Sequence, residues 1–225
     1  MDARCTYAYI NTEGCIPVKV LVIGRLDNNT YVLTDGEGPY SSAVVIDPAG
    51  DVDAILQVVG ESRLTSILVT HHHNDHVLGL AELVKRTHVP VLASQIDAVK
   101  IEQAQPGIFS DADSVPGTHV DIKLQHGDTI EVGSLTLTAL LTPGHTRGGM
   151  CFYLSGTEGS GMLFSGDTLF RGTTGRIDFE GGSEEDMRAS LRNVLAQLPD
   201  DTVVYPGHGD YTTIGFERKT LLERY

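Results

Sequence analysis

The 225-residue chain reads as an α/β protein (α+β in its detailed layout), and three features of the sequence carry that reading. Short β-branched apolar runs of strand length alternate with segments of helical apolar spacing. Gly, Pro or Asp punctuate the junctions, and the chemistry-bearing residues fall on turns after strands, where open α/β sheets place their sites. The layout of the first half recurs in the second. A chain of this length lies within the range of one α/β domain and buries roughly 70% of its unfolded surface. No low-complexity tail or linker divides it, so residues 1–225 are expected to form one domain.

In order, Val18 to Ile23 and Thr30 to Thr34 read as paired strands, and Ala43 to Ile46 as a third that ends at Asp47-Pro48. Asp51 or Asp53 caps a helix with Ile55, Leu56, Val58 and Val59 on one face. Thr65 to Val69 is a buried strand, and Val77 to Val84 a helix. Val89 to Ala93 is a short strand, and Ser94 caps a helix through Ile96, Val99 and Lys100. Residues 102–120, with Pro106-Gly107 and Pro116-Gly117, read as a long loop or crossover. Thr129 to Val132 and Leu135 to Leu141 are strands around Gly133, followed by strands at Met150 to Leu154 and Met162 to Phe164. Ser183 with Asp186 forms a capping box for a helix through Leu191, Val194, Leu195 and Leu198. Thr202 to Tyr205 is the last strand.

Sixteen Lys and Arg against 30 Asp and Glu give a formal charge of −14. That balance repels phosphate backbones and argues against a nucleic-acid partner. No apolar run approaches the ~20 residues of a membrane span, and Met1 to Thr6 carries no secretory pattern, so no membrane partner is expected. Cys5, Cys15 and Cys151 are odd in number and show no Cys-x-x-Cys pairing. They suit a reducing compartment, and a cytoplasmic location is expected.

Between the strand ending at Val69 and the helix after His76 lies Thr70-His71-His72-His73-Asn74-Asp75-His76. In extended backbone alternate residues share a side, so His71, His73 and Asp75 are expected to converge, while His72 and Asn74 point elsewhere. His76 then starts the helix and aims at a neighbouring position, so one turn could serve two metal ions. Three later turns each deliver one ligand with a Gly beside it: His145 after Pro143-Gly144, Asp167 after Gly166, and His208 between Gly207 and Gly209. His88, His119 and His126 fall in loops and read as solvated, and Cys151 reads as a small buried hydrophobe.

These motifs, in order and spacing, resemble the metallo-β-lactamase superfamily over nearly the whole chain. Thr70 to His76, and Gly166 to Phe170 running on to Gly175-Arg176-Ile177-Asp178, are most similar to its glyoxalase II (hydroxyacylglutathione hydrolase) branch. The resemblance implies a four-layer αβ/βα sandwich with metals at the rim of two facing sheets. It implies that His71, His73 and His145 hold one metal, that Asp75, His76 and His208 hold the other, and that Asp167 bridges them. Asp75 and Asp167 are then catalytic carboxylates as well as ligands. Imidazole with carboxylate suits two divalent ions, zinc first, with iron or manganese as alternatives. Such ions ~3.5–4 Å apart share a water and lower its pKa from 15.7 towards ~7.

The implied reaction is hydrolysis of a hydroxyacyl-thioester, a small-molecule substrate. Arg147, Arg171 and Arg176 are candidates to meet a substrate carboxylate, with surface ion pairs as the competing role. Only 17 residues follow His208. The C-terminal helical domain that brings cations to glutathione in the long form is therefore not expected, and the thiol carrier stays open. Two other classes compete: a persulfide dioxygenase with one iron on His73, His145 and Asp167, and a metal-binding protein without catalysis. A β-lactamase is disfavoured by the missing secretion signal.

Overall fold

The computed structural model describes residues 16, 18–107, 110, 114–156 and 161–221; Cys5 and Cys15 lie outside them. The expected strands are present, with ends shifted by one or two residues. The first sheet contains, in spatial order, β1 (Val18–Ile23), β2 (Asn28–Thr34), β3 (Ser42–Ile46), β4 (Arg63–Val69), β5 (Val91–Ser94) and β6 (Ile122–Leu124). β1 to β3 pair antiparallel and β3 to β6 parallel. The second sheet contains β7 (Thr129–Val132), β8 (Leu135–Leu141), β9 (Met150–Leu154), β10 (Met162–Gly166), β11 (Val203–Pro206) and the short β12 (Thr212–Thr213). Its one parallel pairing joins β10 to β11.

Strand alternation sets the layers. On β3, Val44 and Ile46 pack into the space between the sheets, while Ala43 and Val45 pack outward. On β10, Met162 and Phe164 face the other sheet, and Leu163 faces away. Each central strand is therefore apolar on both faces, which requires cover on both. Outside the first sheet lie α1 (Val52–Val59), α2 (Asn74–Val77), α3 (Leu80–Thr87) and α4 (Gln95–Ile101). Outside the second lie α5 (Glu184–Asn193), a 3-10 turn at Leu195–Gln197, and α6 (Ile214–Thr220). The result is the four-layer helix–sheet–sheet–helix sandwich. Each fully buried Phe or Leu between the layers contributes ~1.5–3 kcal/mol. Among the described residues no helix is long and apolar enough to cross a membrane.

Two expected helices differ. The helix read from Val77 to Val84 is two pieces broken at Gly79, where a Cβ would stand 2.8 Å from the Gly50 carbonyl oxygen and 3.0 Å from that of Pro48. The Gly79 N–H donates to the Pro48 carbonyl at 2.8 Å. The apolar run is continuous, so only the neighbouring turn reveals the break. The helix after Ser183 is capped as expected, with Ser183 Oγ accepting from Asp186 N. It ends at Asn193, and the apolar residues beyond it are carried by the 3-10 turn.

Candidate metal centre

The carboxyl ends of β3, β4, β10 and β11 meet at one rim. Asn29 ties β2 to the turn after β11, its N–H donating to the Gly207 carbonyl at 2.7 Å. The Met150 N–H donates to the Thr70 carbonyl at 2.9 Å, which joins the rims of the two sheets. Here the glycines serve close approach. Gly166 has φ 49°, and a Cβ there would lie 2.5 Å from Thr70 Oγ1. At Gly207 a Cβ would run into Asp167 Oδ1 and His76.

Among the described residues three groups of ligand atoms converge, each within 4.8 Å: His71, His73 and His145; Asp75, His76 and His208; and Asp47, His71 and His76, the last joining the other two from behind through His71 and His76. The alternation argument is corrected for Asp75. The backbone stays extended only through His73 (φ −64°, ψ 142°) and turns helical at Asn74. Asp75 thus leaves the side shared by His71 and His73 and joins His76, which is the third residue of α2 and not its start. His73 Nδ1 lies 2.8 Å from His145 Nε2. His208 Nε2 lies 3.3 Å from Asp75 Oδ2. Asp167 stands between the groups, with Oδ1 3.3 Å from His76 Nε2 and Oδ2 3.5 Å from His145 Nε2 and 3.8 Å from His208 Nε2.

Behind these residues lies a set of proton acceptors. His145 Nδ1 donates to the Arg176 carbonyl at 2.7 Å and His208 Nδ1 to the Leu26 carbonyl at 3.0 Å. His76 Nδ1 donates to Asp47 Oδ2 at 2.9 Å. Asp47 also accepts from Thr70 N and Thr70 Oγ1 at 2.7 and 2.6 Å. With its hydroxyl proton so used, Thr70 accepts from His71 Nδ1 at 3.0 Å. Carbonyls and carboxylates only accept, so in their neutral form His71, His76, His145 and His208 carry the proton on Nδ1 and leave the Nε2 lone pair for a cation at the centre.

Asp47, buried and at φ 51°, was legible only as a strand end. Its one sequence signal is an Asp directly after an apolar strand beside the ligand strand. Asn28, whose Nδ2 donates to Asp75 Oδ2 at 2.8 Å, gave none. Asp97 gave none either, although it receives His72 N, His72 Nδ1 and Thr146 Oγ1 at 3.0, 2.9 and 2.9 Å and so ties both ligand turns to α4.

Buried polar atoms at the centre lack partners: His71 Nε2, His76 Nε2 and Asp167 Oδ1 form no hydrogen bond. The last two face one another at 3.3 Å. Each such atom costs about 1–3 kcal/mol unless something meets it. An acceptor-rich pair of groups with orphaned lone pairs fits divalent cations.

The electrostatics agree. Burial, with the neighbouring imidazoles, pushes His73 down to about 3 and holds His71 and His145 below their ordinary value. These imidazoles are neutral at pH 7, the form that can bind a cation. Burial would raise Asp75 and Asp167, yet the histidines around them hold both carboxyls below the usual range. Burial would lower His76 and His208, and the surrounding carboxylates overcome it and raise them. A proton drawn to His76 and a cation bound by it report the same negative potential at this point.

A cavity of about 1020 Å³ opens above the two groups. His72 lines it, turned from the ligand side and held on Asp97. Arg176 lines it too; Arg147 and Arg171 are exposed and outside the lining, Arg171 lying 4.0 Å from Asp210. His119 is exposed beside Glu102, and Cys151 is buried with its thiol pushed up to about 11 by burial.

The model of the family described as the metallo-beta-lactamase superfamily matches residues 23–208. A hydroxyacylglutathione hydrolase of Synechococcus is 41% identical over 191 residues, 83% of this chain and 66% of that one. An uncharacterised protein of Aquifex aeolicus is 36% identical over 202 residues, 89% and 93% of the two chains. Among solved structures, BLEG-1, a B3 metallo-beta-lactamase, superposes with a TM-score of 0.81 at 29% identity, over 90% of this chain and 96% of that one. TTHA1623, in a di-iron-bound form, gives 0.73 at 32%, over 89% and 97%. ETHE1 from Myxococcus xanthus gives 0.71 at 30%, over 90% and 82%.

Proposed function

The chain belongs to the metallo-β-lactamase superfamily and to its glyoxalase II-like branch, and from that premise we propose that it is a binuclear metal-dependent hydrolase of hydroxyacyl-thioesters. The observation that carries the reading is the pair of three-ligand groups sharing Asp167, with orphaned atoms at the floor of an open cavity. His71, His73, His145 and Asp167 would hold one ion, and Asp75, His76, His208 and Asp167 the other, zinc or iron. Bound there, divalent cations supply Lewis acidity, lowering the pKa of water towards ~7 and polarising an acyl carbonyl.

The chain's own part is orientation and proton bookkeeping. Asp47, Thr70 and the Leu26 and Arg176 carbonyls keep the imidazole protons on the far nitrogens. Asp75 and Asp167 are held ionised and carry no proton to give. That bears on the leaving group. A thiol has a pKa near ~8.5 and departs as its anion, whereas an amine must first be protonated by a positioned acid, worth ~10²–10⁴ in rate. His72, the remaining imidazole in the lining, has its Nδ1 engaged by Asp97.

A 2-hydroxyacyl thioester and the matching amide, compared by kcat/KM on metal-loaded enzyme, test this. The thioester is expected to be faster by at least ~100-fold. Comparable values, or a faster amide, overturn the reading. A second reading, one-iron persulfide dioxygenation, is favoured by His73 Nδ1 and His145 Nε2 lying 2.8 Å apart beside Asp167, a two-His-one-carboxylate set. The likeness to ETHE1 accords with it. Oxygen uptake on adding a persulfide would establish it.

A further inference from the structure

One polar atom of the cavity wall is held in place and left unused by the ligand groups. His72 N and His72 Nδ1 both donate to Asp97 Oδ2, at 3.0 and 2.9 Å. The His72 carbonyl accepts from Gln105 Nε2 at 2.9 Å. Asp97 is buried, and Thr146 Oγ1 donates to the same carboxylate oxygen at 2.9 Å. A carboxylate only accepts, so the ring proton sits on Nδ1 and the neutral ring keeps a lone pair on Nε2. Among the described residues the ring's hydrogen bonding ends at Nδ1. The side chain is 15% exposed and lines the cavity, and its ring centroid lies 4.9 Å from that of His73. A fixed acceptor therefore borders the group formed by His71, His73 and His145.

That placement matches one feature of a 2-hydroxyacyl thioester. Its acyl carbon must reach the ligand groups to react, and the hydroxyl oxygen is two bonds from that carbon. The hydroxyl is also the donor that distinguishes this acyl group from a simple one. An acceptor already oriented by a buried carboxylate loses little freedom when it takes up that proton. An acyl group without the hydroxyl would leave the acceptor unpaired against apolar surface, which a site built in this way rejects.

We propose that His72 reads the substrate's 2-hydroxyl, accepting its hydrogen bond at Nε2, and that Asp97 is the positioning residue that aims the ring. The proposal rests on the thioesterase reading and adds the residue that selects the acyl half.

Thioesters of one thiol with 2-hydroxypropanoate and with propanoate are compared by kcat/KM on metal-loaded wild type, His72→Asn and His72→Gln. The asparagine amide keeps a donor for Asp97 but has no atom at the position of Nε2, whereas glutamine brings a carbonyl oxygen close to it. The ratio of the two substrates is taken within each enzyme, so lost metal, lost folded protein and the intrinsic reactivity of the esters all cancel. The ratio is expected to fall at least about fivefold in His72→Asn and to recover at least in part in His72→Gln. A role for His72 merely as a tie to Asp97 predicts the opposite order. A ratio unchanged in His72→Asn overturns the proposal. The free acids, 2-hydroxypropanoate and propanoate, are also titrated calorimetrically into the same three proteins, and their Kd ratio is expected to shift in the same way. If neither thioester is hydrolysed, the thioesterase reading falls and the binding ratio alone decides the contact: a shift in His72→Asn upholds it, and no shift overturns it.

Discussion

Asp167 faces both ligand groups, one oxygen towards His76 and the other towards His145 and His208. Asp167→Ala is therefore expected to lower metal content at both sites and to cut the rate at least ~10-fold further than His208→Ala, since even residues behind ligands cost ~10–100-fold. Elemental analysis with kcat checks it; equal losses, or normal metal content in Asp167→Ala, would mean the carboxylate is not shared. The neutral imidazoles also make the metal-free chain acid-sensitive. His73 is held down to about 3 against an ordinary 6.5, by burial and then by its neighbours. A base with a depressed folded pKa adds stability that is full above its unfolded value and is lost as pH falls towards the folded one. The loss should therefore span pH 6.5 to about 3. His76 and His208, raised by their carboxylates, act in the opposite sense. The difference between wild type and His73→Gln isolates the effect: urea unfolding at pH 7, 6 and 5 should show the steeper decline in the wild type, and parallel declines would refute the assignment.

At the scale of elements, α2 exists because the chain breaks at Gly79 and rests on the turn at Pro48 to Gly50. That turn follows Asp47, which holds His76, so backbone packing and ligand orientation are one problem. Gly79→Ala forces a methyl against two carbonyl oxygens, and overpacking of this kind costs ~1–3 kcal/mol. It is expected to lower the melting temperature and to weaken metal at Asp75, His76 and His208 more than at His71, His73 and His145. Differential metal retention under graded chelation measures this. Unchanged stability, or equal weakening of the two groups, counts against the coupling.

For the whole molecule, the site is a seam. His71, His73, Asp75 and His76 come from the turn after β4 in the first sheet, and His145, Asp167 and His208 follow β8, β10 and β11 in the second. Ions bound across it should bind the folded chain and not the unfolded one, adding ~4 kcal/mol at a free concentration a thousandfold above Kd. Two metals per chain are expected, with a marked drop in melting temperature on chelation. A carefully loaded protein holding one ion, with Asp75, His76 and His208 free of metal, would favour the dioxygenase reading.

The sequence by itself determined ten of the twelve described strands, missing the short edge strands β6 and β12, together with the two-half layout and the four turns that carry His and Asp, because burial on both faces demands continuous apolar runs and close backbone approach demands glycine beside the ligands. The partition of ligands shows where that reasoning stops. Alternation placed Asp75 with His71 and His73, whereas the family resemblance placed it with His76 and His208, and the helical turn beginning at Asn74 supplies the physical reason for the second grouping. Asp47, Asn28 and Asp97 were not legible as site residues because each acts across 23 to 49 positions of chain, on Thr70, Asp75 and His72 or Thr146. Likewise, three arginines near the motifs looked equivalent in sequence, and the fold set Arg176 alone of them against the cavity. Local pattern records what a residue does to its own backbone and its own face. Which ring nitrogen faces inward, which carboxylate stands behind it and which cation is already paired are long-range contacts that only the packed sheets decide.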